Sequence, residues 1–236
     1  MRNLKRMGAA LMTLALMFTV SFSALAAEED TGYRDVEAGS WYADAVEYVR
    51  DNGLMSGTSD TQFSPSGTMT RAMLAQTLYR AAGSPAVSGS DTFPDTQAGA
   101  WYADAVLWAT QEGIINGYGG GLFGTNDPVS REQIAVILWR DAGSPEAQSQ
   151  DFADESAISP WASAAVDWAR SAGLMSGQEG NRFAPQASAT RAEVAVILRA
   201  YRTLGAPGTP ETPAEETNGL VVYFSATGNT ERAANY

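Results

Sequence analysis

WYADAVLWATQEGIING, residues 101–117, recurs as WYADAVEYVRDNGLMSG at 41–57 and as WASAAVDWARSAGLMSG at 161–177, without a gap and sixty residues apart. Within it Trp101, Ala105, Trp108 and Ala109 fall at i, i+4, i+7 and i+8, the spacing of one helix face. Gly113 then supplies a helix stop. The following loop, INGYGGGLFGTNDPV, is rich in Gly, Asn and Pro and delivers the chain to Ser130, a residue of N-cap type. A second helix follows, with Ile134, Ile137 and Leu138 on its apolar positions and an end near Ala142 and Gly143.

The period extends beyond the first helix. Gly53, Gly113 and Gly173 keep it, as do Gly57, Gly117 and Gly177, Phe63, Phe123 and Phe183, and Arg71, Arg131 and Arg191. Upstream of each tryptophan stands an aromatic-x-Asp triplet, ending at Asp35, Asp95 and Asp154. Thr190 with Glu193, and Ser130 with Gln133, match the capping box; repeat one departs from it with Met73. Two short helices bury too little surface alone, so three units packing together are expected. The fold class that follows is all-α: three helix-loop-helix repeats, at 30–85, 90–145 and 149–202, packed with pseudo-threefold symmetry. Residues 203–218, with proline, glycine and acid but no periodicity, read as a linker.

Composition bounds the chemistry. The first 26 residues have a basic start (Arg2, Lys5, Arg6), an apolar run over 7–22 and a small-residue ending, the pattern of a secretory signal peptide over 1–26. It is too short and wrongly flanked for a membrane span, and none is expected after cleavage. The full chain carries a net charge of -12; without the leader, 12 basic side chains, all arginine, face 27 acidic ones, a net of -15. Such an acidic exported protein is not expected to bind nucleic acid or anionic lipid through a bulk field. With no Cys and no His, disulfides, thiolate metal sites and the commonest general base are absent. No paired carboxylate stands out as catalytic, and no metal site is expected. Asp44 and Asp104 have Ala164 in the third copy, which favours solvated helix starts over a repeated acid catalyst. The run Gly119, Gly120, Gly121 lacks the lysine and strand-to-helix context of a phosphate loop.

Together these features resemble the S-layer homology repeat, in three copies over some 170 residues. The resemblance implies a noncovalent cell-wall anchor of the bacterial surface, binding secondary cell-wall polysaccharide, often through pyruvate ketals, in grooves between repeats. It also implies that the arginine of the T-R-A-E motif is a principal ligand contact, here Arg71, Arg131 and Arg191; only repeat three keeps that motif intact. An independent physical argument points the same way. A cation at a helix N-terminus conflicts with the dipole, a conflict that an anion held by the guanidinium fork and the free amides would relieve. The alternative is pairing within the fold, with Asp35, Asp95 or Asp154. On the ligand reading, alanine at the three arginines weakens wall binding without unfolding the domain. Trp41, Trp101 and Trp161 stand either in the core or as groove walls, whereas Trp108, Trp139 and Trp168 are assigned to core. Gly57, Gly117 and Gly177 serve positive φ or close backbone approach, with groove lining as a second role. The three aspartates join these tryptophans and glycines as candidate groove residues.

The stretch 219–236, GLVVYFSATGNTERAANY, carries a different signal. A buried-strand run leads to a hydroxyl- and glycine-rich turn, Ser225, Thr227, Gly228, Asn229 and Thr230, that resembles the first strand and FMN-phosphate loop of flavodoxins. It is the incomplete start of an α/β domain, since a doubly wound sheet needs further βα units. No cofactor is expected in this chain, and FMN only in a longer parent protein. The alternative function is thus a surface-tethered flavodoxin-like electron carrier of which this chain is the N-terminal part.

Overall fold

The computed structural model describes residues 32–90, 93–148 and 151–203; the leader, the linker past Thr203 and the flavodoxin-like stretch lie outside the described residues. Six α-helices are present there: α1 (Ala43–Asp51), α2 (Arg71–Ala81), α3 (Ala103–Gln111), α4 (Arg131–Asp141), α5 (Ser163–Ser171) and α6 (Arg191–Thr203). Short 3-10 turns lie at Gly119–Gly121, Glu155–Ala157 and Glu179–Asn181. Extended backbone among the described residues is confined to isolated bridges, so the expected helix-loop-helix repeats hold there.

The local signals act where expected. Gly53, Gly113 and Gly173 take φ of 65°, 70° and 69° just past the ends of α1, α3 and α5, a conformation costly for a residue with a Cβ. The capping boxes close in α4 and α6: the Ser130 amide donates to Gln133 Oε1 at 3.2 Å and the Thr190 amide to Glu193 Oε2 at 2.7 Å. At α2 only half the motif forms, the Met73 amide donating to Thr70 Oγ1.

One expectation is corrected. Ala105, Trp108 and Ala109 are buried, but Trp101 is 61% exposed and lies before α3 begins. The first helices lack a side-chain N-cap; Tyr102 occupies that position, and the Trp101 ring packs edge-on against it at 5.2 Å. The helical spacing matches the buried stripe and runs one turn too long at its start.

The helices pair between repeats. α2 packs on α3, α4 on α5, and α6 closes on α1. Each repeat therefore gives its second helix to the next, and the third returns it to the first. The loops before the second helices meet at the pseudo-threefold axis in a closed cycle of backbone hydrogen bonds: Met69 N–H to Ala189 O (3.0 Å), Ala189 N–H to Val129 O (3.0 Å) and Val129 N–H to Met69 O (2.9 Å). All three side chains are buried, as are Phe63, Phe123 and Phe183, each fully. The phenylalanines contact the aromatic rings of their own triplets, Tyr33, Phe93 and Phe152, at centroid distances of 5.2 to 5.6 Å.

Because every helix pair and every axial hydrogen bond crosses a repeat boundary, one repeat has no partner for its apolar stripe. A peptide of residues 90–145 is expected to show a coil-like far-UV circular dichroism spectrum, whereas residues 30–203 melt in one cooperative step. A lone repeat with native helicity and a cooperative melt would contradict the exchange.

Candidate functional site

The three arginines open the second helices and point into the next repeat. Arg191 Nε donates to Phe63 O at 2.8 Å and its Nη2 to Ser56 O at 2.7 Å. Arg71 makes the same pair with Phe123 O and Asn116 O, both at 2.8 Å, and Arg131 with Phe183 O and Ser176 O at 2.8 and 3.1 Å. Their exposures are only 4, 6 and 7% for Arg71, Arg131 and Arg191. Each guanidinium also lies over the phenylalanine whose carbonyl it binds, 4.5 to 5.2 Å from the ring centroid, and Arg71 additionally over Tyr118 at 4.7 Å. Burial lowers the pKa of all three, with nearby acids partly restoring it.

Neither pairing with the aspartates nor a cradle of free helix-start amides matches that geometry. The aspartates do not pair with them: Asp35 accepts the amides of Phe63 and Ser64 at 2.8 and 2.7 Å, Asp95 those of Phe123 and Gly124, and Asp154 those of Phe183 and Ala184. Nor are the helix-start amides free for an anion. Those of Arg191 and Ala192 donate to Gly67 O and Pro65 O, those of Arg71 and Ala72 to Asp127 O and Thr125 O, and those of Arg131 and Glu132 to Ala187 O and Pro185 O. The third amide of each helix is held by Thr70, Ser130 or Thr190. Two arms of each guanidinium fork and the first two amides of each helix thus belong to the interface between repeats, and the third amide to the helix's own N-cap; Nη1 is the remaining arm, and that of Arg131 lies 3.9 Å from Glu193.

The aspartates hold the loops. Burial by itself would raise the Asp95 and Asp154 carboxyls, but the loop amides outweigh it and keep both below the ordinary carboxylate value. The glycines pack beneath the same loops. A Cβ at Gly57 would stand 2.5 Å from the Ser59 and Gln62 carbonyls and from the Tyr33 ring, and one at Gly117 would meet Phe93. Close approach is their role here; positive φ is not.

The exposed feature is aromatic. Trp41, Trp101 and Trp161 are 54, 61 and 57% exposed, while Trp108 is buried and Trp139 and Trp168 pack partly buried against the core. Trp41 borders an open cleft of about 520 Å³ between the repeat-one loop and the start of α6, lined also by Asp35, Tyr42, Ser66, Thr190 and Ala192. Arg191 packs beside Gly67 of this lining, its Cδ 3.4 Å from where a Cβ on that glycine would sit. Sequence reasoning missed one residue at the matching boundary between repeats two and three: Glu132, a fully buried carboxylate in α4. Its signal is present in the sequence, since it follows the motif arginine where the other repeats carry Ala72 and Ala192.

No helix among the described residues is long and apolar enough to cross a membrane, and no group of three or more metal-ligating acids is found there. Comparison with known proteins fits this geometry. The S-layer homology domain matches at residues 32–73, 92–135 and 151–195. The chain belongs to the S-layer homology domain family. Relatives include an amylopullulanase of Thermoanaerobacterium thermosulfurigenes, 33% identical over 75% of this chain and 10% of that protein, and the surface-layer 125 kDa protein of Lysinibacillus sphaericus, 33% identical over 67% and 14%. S-layer protein EA1 of Bacillus anthracis is 28% identical over 56% and 15%. The chain thus matches a small part of much longer proteins. An S-layer homology domain is a non-catalytic module that anchors proteins to cell-wall polymers, and it locates this chain at the cell surface.

Two outcomes follow. Arg131→Ala strands the buried Phe183 carbonyl and the partly buried Ser176 carbonyl and is expected to cost about 2–3 kcal/mol of folding stability, in contrast to the sequence expectation of a fold-neutral change; urea denaturation reads this directly. Asp95 and Asp154, held below their unfolded value of about 3.9, contribute stability present above that pH and lost as pH falls through their lower folded values. The melting temperature should therefore drop on acidification below about pH 4, and Asp95→Asn should be less stable at neutral pH with a shallower acid dependence.

Proposed function

We propose that the domain anchors its protein by binding an acidic secondary cell-wall polysaccharide, in pyruvylated form, at the cleft between repeats three and one. The observation that carries this reading is Trp41, a large apolar ring more than half exposed on the rim of an open cleft, with the stem of the buried Arg191 beside Gly67 of its lining. A sugar face can stack on the indole, hydroxyls of Ser66 and Thr190 offer hydrogen bonds, and Arg191 supplies positive potential to a carboxylate through a thin, poorly screened layer of protein. Recognition is local, because a chain of net charge -15 without its leader repels an acidic polymer at distance. The family membership supports wall anchoring in general; the polymer's structure and its pyruvate are part of the proposal.

The test is co-sedimentation of residues 30–203 with purified cell walls, before and after chemical removal of the secondary polymer. Trp41→Ala is expected to lower binding several-fold, on the order of one aromatic contact, with an unchanged melting temperature. Moderate added salt should weaken binding little. Full binding to polymer-stripped walls, or by Trp41→Ala, would sink the reading.

The stretch 219–236 motivates a second proposal, resting on sequence alone: the anchored cargo is a flavodoxin-like FMN domain. The 236-residue chain is then expected to leave FMN fluorescence unquenched, and a product extended by a flavodoxin-sized domain to purify yellow. Stoichiometric FMN binding by the short chain, or none by the extended one, counts against it.

A further inference from the structure

The repeat places counterparts of the open cleft's lining at the other two repeat boundaries, and these counterparts differ in sequence, above all at the residue after the motif arginine. The residue after the motif arginine is Ala192 in the open cleft, Ala72 in its second counterpart and Glu132 in the third. Glu132 is only 2% exposed. Its Oε2 accepts the Ser159 amide at 3.0 Å, and its Oε1 accepts the Ser159 hydroxyl at 3.0 Å and Gln186 Nε2 at 2.6 Å.

The donors are as particular to this cleft as the acceptor. Ser159 stands two residues before Trp161, where Gly39 and Gly99 precede Trp41 and Trp101. Gln186 stands in register with Ser66, which lines the open cleft. A buried carboxylate is costly without hydrogen bonds, so Glu132, Ser159 and Gln186 form a unit whose members satisfy one another. Arg131, the preceding residue, adds a buried cation whose Nη1 is 3.9 Å from Glu193.

We infer that Glu132 is a built-in occupant of the third cleft. Its carboxylate takes the place that an anionic sugar substituent takes in the open cleft, so the groove between repeats two and three is closed to ligand. Binding is then left to the groove between repeats three and one and to its counterpart at Ala72, between repeats one and two. This inference rests on the cleft reading proposed above, but the plug itself can be tested without any polysaccharide.

Glu132→Ala restores the residue found at positions 72 and 192 and leaves a carboxylate-sized space with its donors in place. Thermal unfolding of residues 30–203 is measured in sodium pyruvate or acetate and in chloride of equal ionic strength. The alanine variant is expected to gain a few degrees in pyruvate or acetate relative to chloride, as a ligand bound only by the folded state must produce. The wild type and Glu132→Gln, which keeps the plug's shape, are expected to gain only the smaller and equal amount that the open cleft supplies. If the alanine variant does not fold in chloride, recovery of its helical signal in pyruvate supports the plug equally. Absence of rescue, or an equal response in the glutamine variant, overturns the inference.

The second arm follows indole N–H resonances during titration with a methyl glycoside bearing a 4,6-linked pyruvate ketal. Trp41 should shift in the wild type while Trp161 stays, and both should shift in Glu132→Ala. Movement of Trp161 in the wild type overturns the plug. Rescue by pyruvate with no shift of any indole upholds the plug and rejects the pyruvylated-glycan reading.

Discussion

A cation at the first position of a helix is unfavourable on its own, and this protein has three of them, all buried. Their stability comes from a row of carbonyls in the next repeat. Around Arg191, the oxygens of Ser56, Phe63, Pro65 and Gly67 accept from Nη2, Nε, the Ala192 amide and the Arg191 amide respectively. The same four positions, sixty and one hundred and twenty residues later, serve Arg71 and Arg131. One strip of loop backbone thus satisfies both the positive end of the helix and the guanidinium beside it. Two like charges share a single negative surface, which is why the arginine tolerates the dipole and needs no carboxylate.

That strip must be rigid to work, and the phenylalanine peptide shows how it is fixed. The amide of Phe63 donates to Asp35 of its own repeat, while its carbonyl accepts from Arg191 of another and its ring packs fully buried under the guanidinium. The aspartate therefore shapes the loop that the arginine reads. Removing either partner leaves a polar atom of the Phe63 peptide unpaired, the amide in one case and the carbonyl in the other, so the two are linked through one loop. The axial cycle through Met69, Val129 and Ala189 locks the same loops from the inner side.

Much of this was legible in the sequence because the signals for helix ends act over short distances. Helix stops at Gly113 and its equivalents, the two closed capping boxes and the half-formed one at Thr70 follow from residues within one turn of each other. The destination of Arg71 was not legible, because its partners are backbone carbonyls 45 and 52 residues away, and backbone acceptors leave no residue-type signature. The amphipathic stripe of α3 likewise showed that a face is buried without showing against which helix. Exchange of helices between neighbours and packing within a repeat need the same apolar pattern. The exposed tryptophans were ambiguous for a related reason, since an aromatic at helical spacing looks the same in core and on a cleft rim.

The division of labour between backbone and side chain also explains how three similar repeat boundaries diverge. Arg and the residue after it commit their amides to the neighbouring loop, and those bonds are indifferent to the second residue's identity, as Ala72, Glu132 and Ala192 all make them. The side chain at that position is released from holding the fold together. In the open cleft it is a methyl group on the wall; in the third it is a carboxylate that meets Ser159 and Gln186. A repeat protein that fixed its interfaces through these side chains would have to keep them uniform. Fixing them through carbonyls and one buried arginine lets each cleft change its chemistry while the ring stays closed.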